Sequence, residues 1–185
     1  TLTTGYSGVV VVFLSCLAIL LKFSLKPVKF ATSLVLLSLL VAFPNFLTVM
    51  AKDLGFLGLQ AASAHRILVL SNLGFAILAA FGFEALIMDK LKLKSLIRAF
   101  YIPATLLSAY TISSLYILFV SRGQAGQLYQ NIQVGLRNLI LPIAIFVIIA
   151  LIVLLIYKHI KFRFHLSLML ATIAIIELFR FGWKF

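Results

Sequence analysis

The sequence predicts an all-α integral membrane protein: a bundle of about six transmembrane helices, with one further interfacial or re-entrant helix on the outer face. Three observations predict it. Apolar blocks approaching the ~20 residues that cross a bilayer alternate with short connectors. The composition is 64% hydrophobic and 11% charged, with a mean hydropathy of +1.20, far from the soluble norm of about half apolar and about a quarter charged. Lys and Arg crowd into every second connector. Lys22, Lys26 and Lys29 fill the first, Lys90, Lys92, Lys94 and Arg98 the third, and Lys158, Lys161 and Arg163 the fifth. The outer side holds only Lys52, Arg66, Arg122, Arg137, Arg180 and Lys184. Cytoplasmic loops carry the excess of Lys and Arg, so the chain should start outside, cross about six times and end outside, in the plasma membrane.

The net charge of +12 does not point to nucleic acid. A nucleic-acid binder gathers its charge on one face or stripe. Here it is spread over membrane-edge loops, where lipid headgroups are the natural partner. Cys16 is alone within an apolar span, so no intramolecular disulfide forms and the redox compartment stays open. The chain opens on Thr1 and stops inside an amphipathic run, residues 179–185. The expectation is one transmembrane bundle over residues 1–185, the membrane portion of a larger polytopic protein. The first span is too long, and too poor in n-region charge, for a cleaved signal peptide.

Span one covers residues 8–23, with Tyr6 at its outer edge, where a belt aromatic belongs. Span two starts near Val28 and is interrupted at Pro44, which removes a backbone donor and kinks or ends a helix. Residues 50–65 mix large apolar groups with Asp53, Gly55, Gly58, Gln60 and His65. That is too polar to span and too apolar for a free loop, which fits the interfacial helix. Span three, residues 67–87, is rich in small side chains (Ser71, Gly74, Ala79, Gly82, Ala85), so it should lie centrally in the bundle. Span four, residues 99–120, carries Pro103 and a polar stripe of Thr105, Ser108, Ser113 and Ser114. Residues 121–138 read as an outer loop with room for one amphipathic turn. Residues 139–157 read as a featureless lipid-facing span five, and residues 164–181 as span six.

No soluble-enzyme motif and no His/Cys cluster with metal spacing is present, so no metal site is expected. His159 and His165 sit among cationic neighbours in one connector and read as headgroup contacts. Four acids remain. Asp53 and Arg66 bracket the interfacial segment, with His65 beside Arg66. They can be read as an interface anchor or as an anion site. An Arg fork suits a phosphate, and Arg66 stands at the N-terminal end of span three, the positive end of its dipole. Arg66, His65 and Asp53 are therefore the candidate lipid-phosphate-binding residues. Glu84 falls eighteen residues past Arg66, close to Asp89 and Lys90, and reads as an inner-interface residue. Glu177 lies within span six, one turn from Arg180. An (i, i+3) intramembrane ion pair between the two would offset the cost of a buried carboxylate.

The run AHRILVLSNLGFAILAAFGFE, residues 64–84, resembles the Arg-led span of bacterial YfhO-type membrane proteins, which ends in a small-residue pattern like LAAxGxE. The terminal IELFRFGWKF, residues 176–185, resembles the segment with which such proteins leave their last core spans. Gly5-Tyr6-Ser7-Gly8 is similar to the outer-edge Y-x-G that opens a span in that family. The resemblance implies a GT-C-like fold and a cell-envelope glycosyltransferase. Such an enzyme moves a sugar from a polyprenyl-phosphate carrier, its donor substrate, to an extracytoplasmic acceptor glycopolymer or protein. It also implies that the catalytic acid lies upstream, in a first outer loop, so no residue here is assigned as the base. Arg66 is the position onto which a phosphate-facing role carries over. The rivals are a transporter or lipid flippase, which needs a polar midplane path at broken helices, and a non-catalytic scaffold.

Overall fold

Helix is the secondary structure this composition dictates, because in lipid each backbone polar group must be satisfied within its own segment or in a closed barrel. A computed structural model describes residues 8–42, 49, 67–88, 92–120, 127–158 and 162–183, excluding the side chains of 120, 127–131 and 180–183. Among the described residues every extended element is a helix: α1 (Val9–Lys22), α2 (Lys26–Ala42), α3 (Leu68–Met88), α4 (Leu93–Val120), α5 (Gln127–Lys158) and α6 (Arg163–Trp183). Three stretches are long and apolar enough to cross a membrane, Leu68–Met88, Leu93–Phe119 and Ile132–Lys158. Helix α1 is apolar but has 14 described residues, and α2 has 17. Helix α6 carries Arg163, Glu177 and Arg180 within its 21 residues.

The centre of the bundle is α1, which touches all five other helices. Its side chains are apolar on every face, as a helix surrounded by neighbours requires. Val10, Phe13, Leu17 and Ala18 have no exposed surface. Span three is thus central only in second place, gripped between α1 and α2. Its buried positions Ser71, Gly74, Leu78, Gly82 and Ala85 recur at three and four residues, one stripe of mostly small side chains. The matching stripe on α2 is Val28, Ala31, Val35, Ser38 and Ala42. A Cβ on Gly74 would stand 2.6 Å from the Val35 Cγ2 and 3.0 Å from the Ala31 carbonyl oxygen. A Cβ on Gly82 would run into the backbone carbonyl oxygen of Leu14. Since lipid is as apolar as Leu, such close approach, rather than the exclusion of water, holds membrane helices together.

Several hydroxyls of the bundle donate to nearby carbonyls, while the fully buried Ser167 hydroxyl has no hydrogen-bond partner among the described residues. Ser15 shares its proton between the Val11 carbonyl of its own helix at 2.8 Å and the Phe75 carbonyl of α3 at 3.3 Å. Three members of the polar stripe of α4 are absorbed in the same way: Thr105, Ser108 and Ser113 donate to the carbonyls of Ile102, Thr105 and Ala109.

Helices α4, α5 and α6 continue the bundle, each packed against the next and against α1. Phe13, Phe100 and Phe146 tie α1, α4 and α5 at one level, with ring centroids 4.3 Å and 5.5 Å apart along the series. Two sequence readings change here. Helix α5 begins at Gln127, inside the segment read as an outer loop. Leu128, Ile132, Leu136 and Leu139 carry a helical apolar period through polar neighbours. Nor is α5 lipid-facing on all sides. Ile145, Ile149, Ile152, Val153 and Ile156 are buried, while Ile148, Leu151, Leu154 and Leu155 are exposed.

The two glycine contacts have unequal consequences. Replacing Gly82 by Val should lower the thermal stability of the detergent-solubilised protein by about 1–3 kcal/mol, because the obstructing atoms are backbone. Gly135→Ala should be nearly neutral, since the atom met there, at 3.2 Å, is the Tyr110 hydroxyl oxygen at the end of a side chain. Equal losses at both positions would count against packing at Gly82 as the cause.

Candidate functional site

A helix begins with orphan N–H donors, and α1 has no local side chain to satisfy them. Its N-cap is Gly8, with φ of 76°, a left-handed conformation natural to glycine. The acceptor comes from the far end of the chain. The Val9 amide donates to Glu177 Oε1 at 2.9 Å and the Val10 amide to Oε2 at 3.3 Å. Glu177, on α6, is 3% exposed. A carboxylate across two amides at the positive end of a helix dipole is a charge-assisted cap. A Cβ on Gly8 would stand 2.9 Å from Glu177 Oε2, so the glycine serves both the backbone turn and the carboxylate's approach.

Sequence spacing pairs Glu177 with Arg180; the structure brings Glu177 to the α1 amides, and the Arg180 side chain lies outside the described residues. Asp53, His65 and Arg66 also lie outside the described residues. Among the described residues no three His, Cys, Asp or Glu side chains gather as a metal site needs.

Beside the cap lies a cavity of about 560 Å³. Gly8, Val9 and Val12 of α1 form one wall, Phe75 of α3 another, and Pro103, Leu107 and Tyr110 of α4 face Asn138, Leu139 and Pro142 of α5 across the rest. The wall is apolar apart from the Tyr110 hydroxyl and the Asn138 amide, the makeup of a small-molecule or lipid site. Both prolines lie inside their helices, and each removes the amide that would bond the carbonyl four residues earlier, that of Ala99 or Asn138. The sequence signal for this site was the proline inside each apolar run; the reading of residues 121–138 as a loop hid Gly135 and Asn138.

The opposite end of the bundle is held by charge. Lys22 Nζ lies 2.8 Å from Glu84 Oε1, tying the last turns of α1 and α3. Arg163 donates from Nε to the Leu86 carbonyl and from Nη2 to the Ala85 carbonyl at 3.2 Å, capping the C-terminal end of α3 with a cation. Glu84 was read as an interface residue, and it stands half-exposed at the rim in this pair.

The cap sets an order of stabilities. Glu177→Gln should keep one acceptor and lose the charge, while Glu177→Ala should strand two buried amides at about 1–3 kcal/mol each. Thermal unfolding in detergent should therefore rank wild type above Gln, and Gln above Ala. Gly8→Ala combined with Glu177→Ala should cost less than the sum of the single changes, because both act on one cap. Strict additivity would separate the two residues.

Comparison of the chain with protein-family models, with curated proteins and with solved structures finds no match.

Proposed function

We propose that this chain is a GT-C-like membrane glycosyltransferase bundle of six spans, with both termini outside. In this reading it takes a sugar from a polyprenyl-phosphate carrier to an acceptor on the outer side of a bacterial plasma membrane. The observation that carries the reading is the cavity between α1, α4 and α5: an apolar pocket of about 560 Å³ within apolar helices suits a hydrocarbon chain. The resemblance of residues 64–84 and 176–185 to YfhO-type proteins supplies the reaction.

The cavity lies toward the end at which α1 and α3 begin, since Gly8, Val9 and Phe75 line it while Lys22 and Glu84 meet at the other end. Arg66 precedes Leu68, the first residue of α3, by two positions in sequence. In the proposed reaction the acceptor oxygen bonds to the anomeric carbon and the bond from that carbon to the phosphate oxygen breaks. The lipid phosphate leaves with the electron pair, and the acceptor proton passes to an upstream carboxylate acting as general base. Arg66, with His65 and Asp53 as neighbours that orient the segment, meets the charge growing on the phosphate. Such a contact favours the transition state over bound substrate. A flippase would need a polar path for the headgroup. The described cavity wall offers no charged side chain for one.

Orientation is checked by cysteine labelling in intact cells, with Cys16 buried and so a poor background target. Lys92→Cys should be shielded from an impermeant thiol reagent, and Gln133→Cys should react; labelling of Lys92→Cys from outside would reverse the topology.

Function is checked by sugar transfer from a radiolabelled polyprenyl-phosphate sugar in membranes carrying the full-length protein. Arg66→Ala should reduce transfer on the order of a hundredfold, as loss of a transition-state donor does, and Arg66→Lys should recover little because the planar fork is gone. Leu107→Trp, which fills the cavity, should also reduce transfer. Unchanged transfer in a well-expressed Arg66→Ala protein would remove the phosphate role. Transbilayer movement of the labelled lipid without transfer would favour a flippase.

A further inference from the structure

The helix directions place a set of cations at the end of the bundle opposite the cavity. The first turns of α1 meet later residues of α4 and earlier residues of α5 around the cavity, so α4 runs against α1 and α5 runs with it. From the Phe13–Phe100–Phe146 level, Lys22 lies nine residues onward, Lys94 six residues back and Lys158 twelve residues onward. At about 1.5 Å per residue these are roughly 9–18 Å away in one direction. Lys26 and Lys29, at the start of α2, follow Lys22 across a three-residue turn.

Lys22 and Arg163 are engaged at this end, by Glu84 and by the α3 carbonyls. Lys26, Lys29, Lys94, Arg98 and Lys158 are exposed and have no carboxylate partner among the described residues. Lys94 and Arg98 are one turn apart on the same face of α4, a like-charge pair that repels unless an anion lies between. The surface around them is apolar: Ile97 is 61% exposed and Tyr101 70%. Lys158 follows the exposed Tyr157 and Leu154 of α5, the neighbour of α4.

We propose that Lys94, Arg98 and Lys158, with Lys26 and Lys29 around the rim, form a binding surface for the phosphodiester headgroups of anionic bilayer lipids. The partner follows from the border these cations occupy. An anion seated there touches charge on one side and hydrocarbon-facing Ile97 and Tyr101 on the other, which an anionic amphiphile satisfies. A nucleic acid brings the charge alone and leaves the apolar rim exposed. The surface is independent of the sugar-transfer reading, since it lies at the other end of the bundle and uses none of the same residues.

The test is lipid selectivity of the full chain in phosphatidylcholine vesicles doped with spin-labelled phosphatidylglycerol or spin-labelled phosphatidylcholine. The measurement is the motionally restricted fraction of each label. Phosphatidylglycerol should be preferred, with a loss of up to about fivefold per cation removed. Lys94→Gln/Arg98→Gln/Lys158→Gln should bring the preference close to parity, whereas Arg137→Gln, near the cavity end of α5, should leave it intact. Raising salt toward 1 M, where the Debye length is about 3 Å, should suppress the preference in the wild-type protein without any substitution. Parity in the wild type at low salt, a preference indifferent to salt, or a folded triple variant that keeps the full preference would each overturn the proposal. So would tighter binding of single-stranded RNA than of phosphatidylglycerol by the protein in detergent.

Discussion

The bundle depends on a carboxylate that closes the chain on itself. Helix α1 touches every other helix, yet its own first residues supply no side-chain cap. Glu177 supplies it from 168 positions away. Within a bilayer, water does not compete for the α1 amides, so leaving them unpaired carries a penalty that an aqueous helix end would not meet. The carboxylate is itself costly to bury without partners, and each group therefore offsets the other's desolvation. The arrangement fixes the position of α6 relative to α1 at one end. At the other end Arg163 caps α3 and Lys22 meets Glu84. Charge thereby ties α1 to α6 at one end and joins both of them to α3 at the other, with apolar packing between.

Packing between those ends follows a different rule. In lipid the gain from association comes from close contact, so the helices approach where side chains are smallest. Gly82 sits on the Leu14 carbonyl and Gly74 on the Ala31–Val35 turn, while hydroxyls such as Ser15 and Ser38 bond backbone carbonyls rather than reaching for solvent. Helix α4 is the contrast. Its lower half packs through Leu96, Ala99 and Phe100, whereas beyond Pro103 most of its large side chains are exposed and the cavity opens between it and α5.

Much of the helix content was legible in the sequence because apolar block length and small-residue spacing are local properties. The small-residue stripe of span three and the place of Glu84 near the end of that span both follow from such local signals. The missed features depend on neighbours. The contact of Glu177 with the α1 amides is one, since a sequence shows partners on the same helix and hides a backbone amide from a distant one. The central place of α1 was hidden as well, because a helix buried on all sides and one bathed in lipid read alike in hydropathy. The start of α5 was misplaced because Gln130, Asn131, Gln133 and Asn138 suggested a loop, while the apolar period beneath them was already helical.

The two ends of the bundle therefore have different physical characters, and the cavity lies where they permit one. Ties of α1 to α6 at one end and of both to α3 at the other resist separation of the three, so space for a guest is least costly where no such tie exists. That place is between the halves of α4 and α5 nearer the α1 cap, where Pro103 and Pro142 interrupt the backbone ladders. Opening there disturbs few buried contacts and no charged cap, which is the low-stability region from which binding elements are drawn. A chain-shaped apolar guest entering from the bilayer would meet the α1 N-terminus, with Glu177 already seated on it, at the head of its path. The carboxylate then has a second consequence: it occupies the α1 amides, so that end of α1 offers those donors to no other anion.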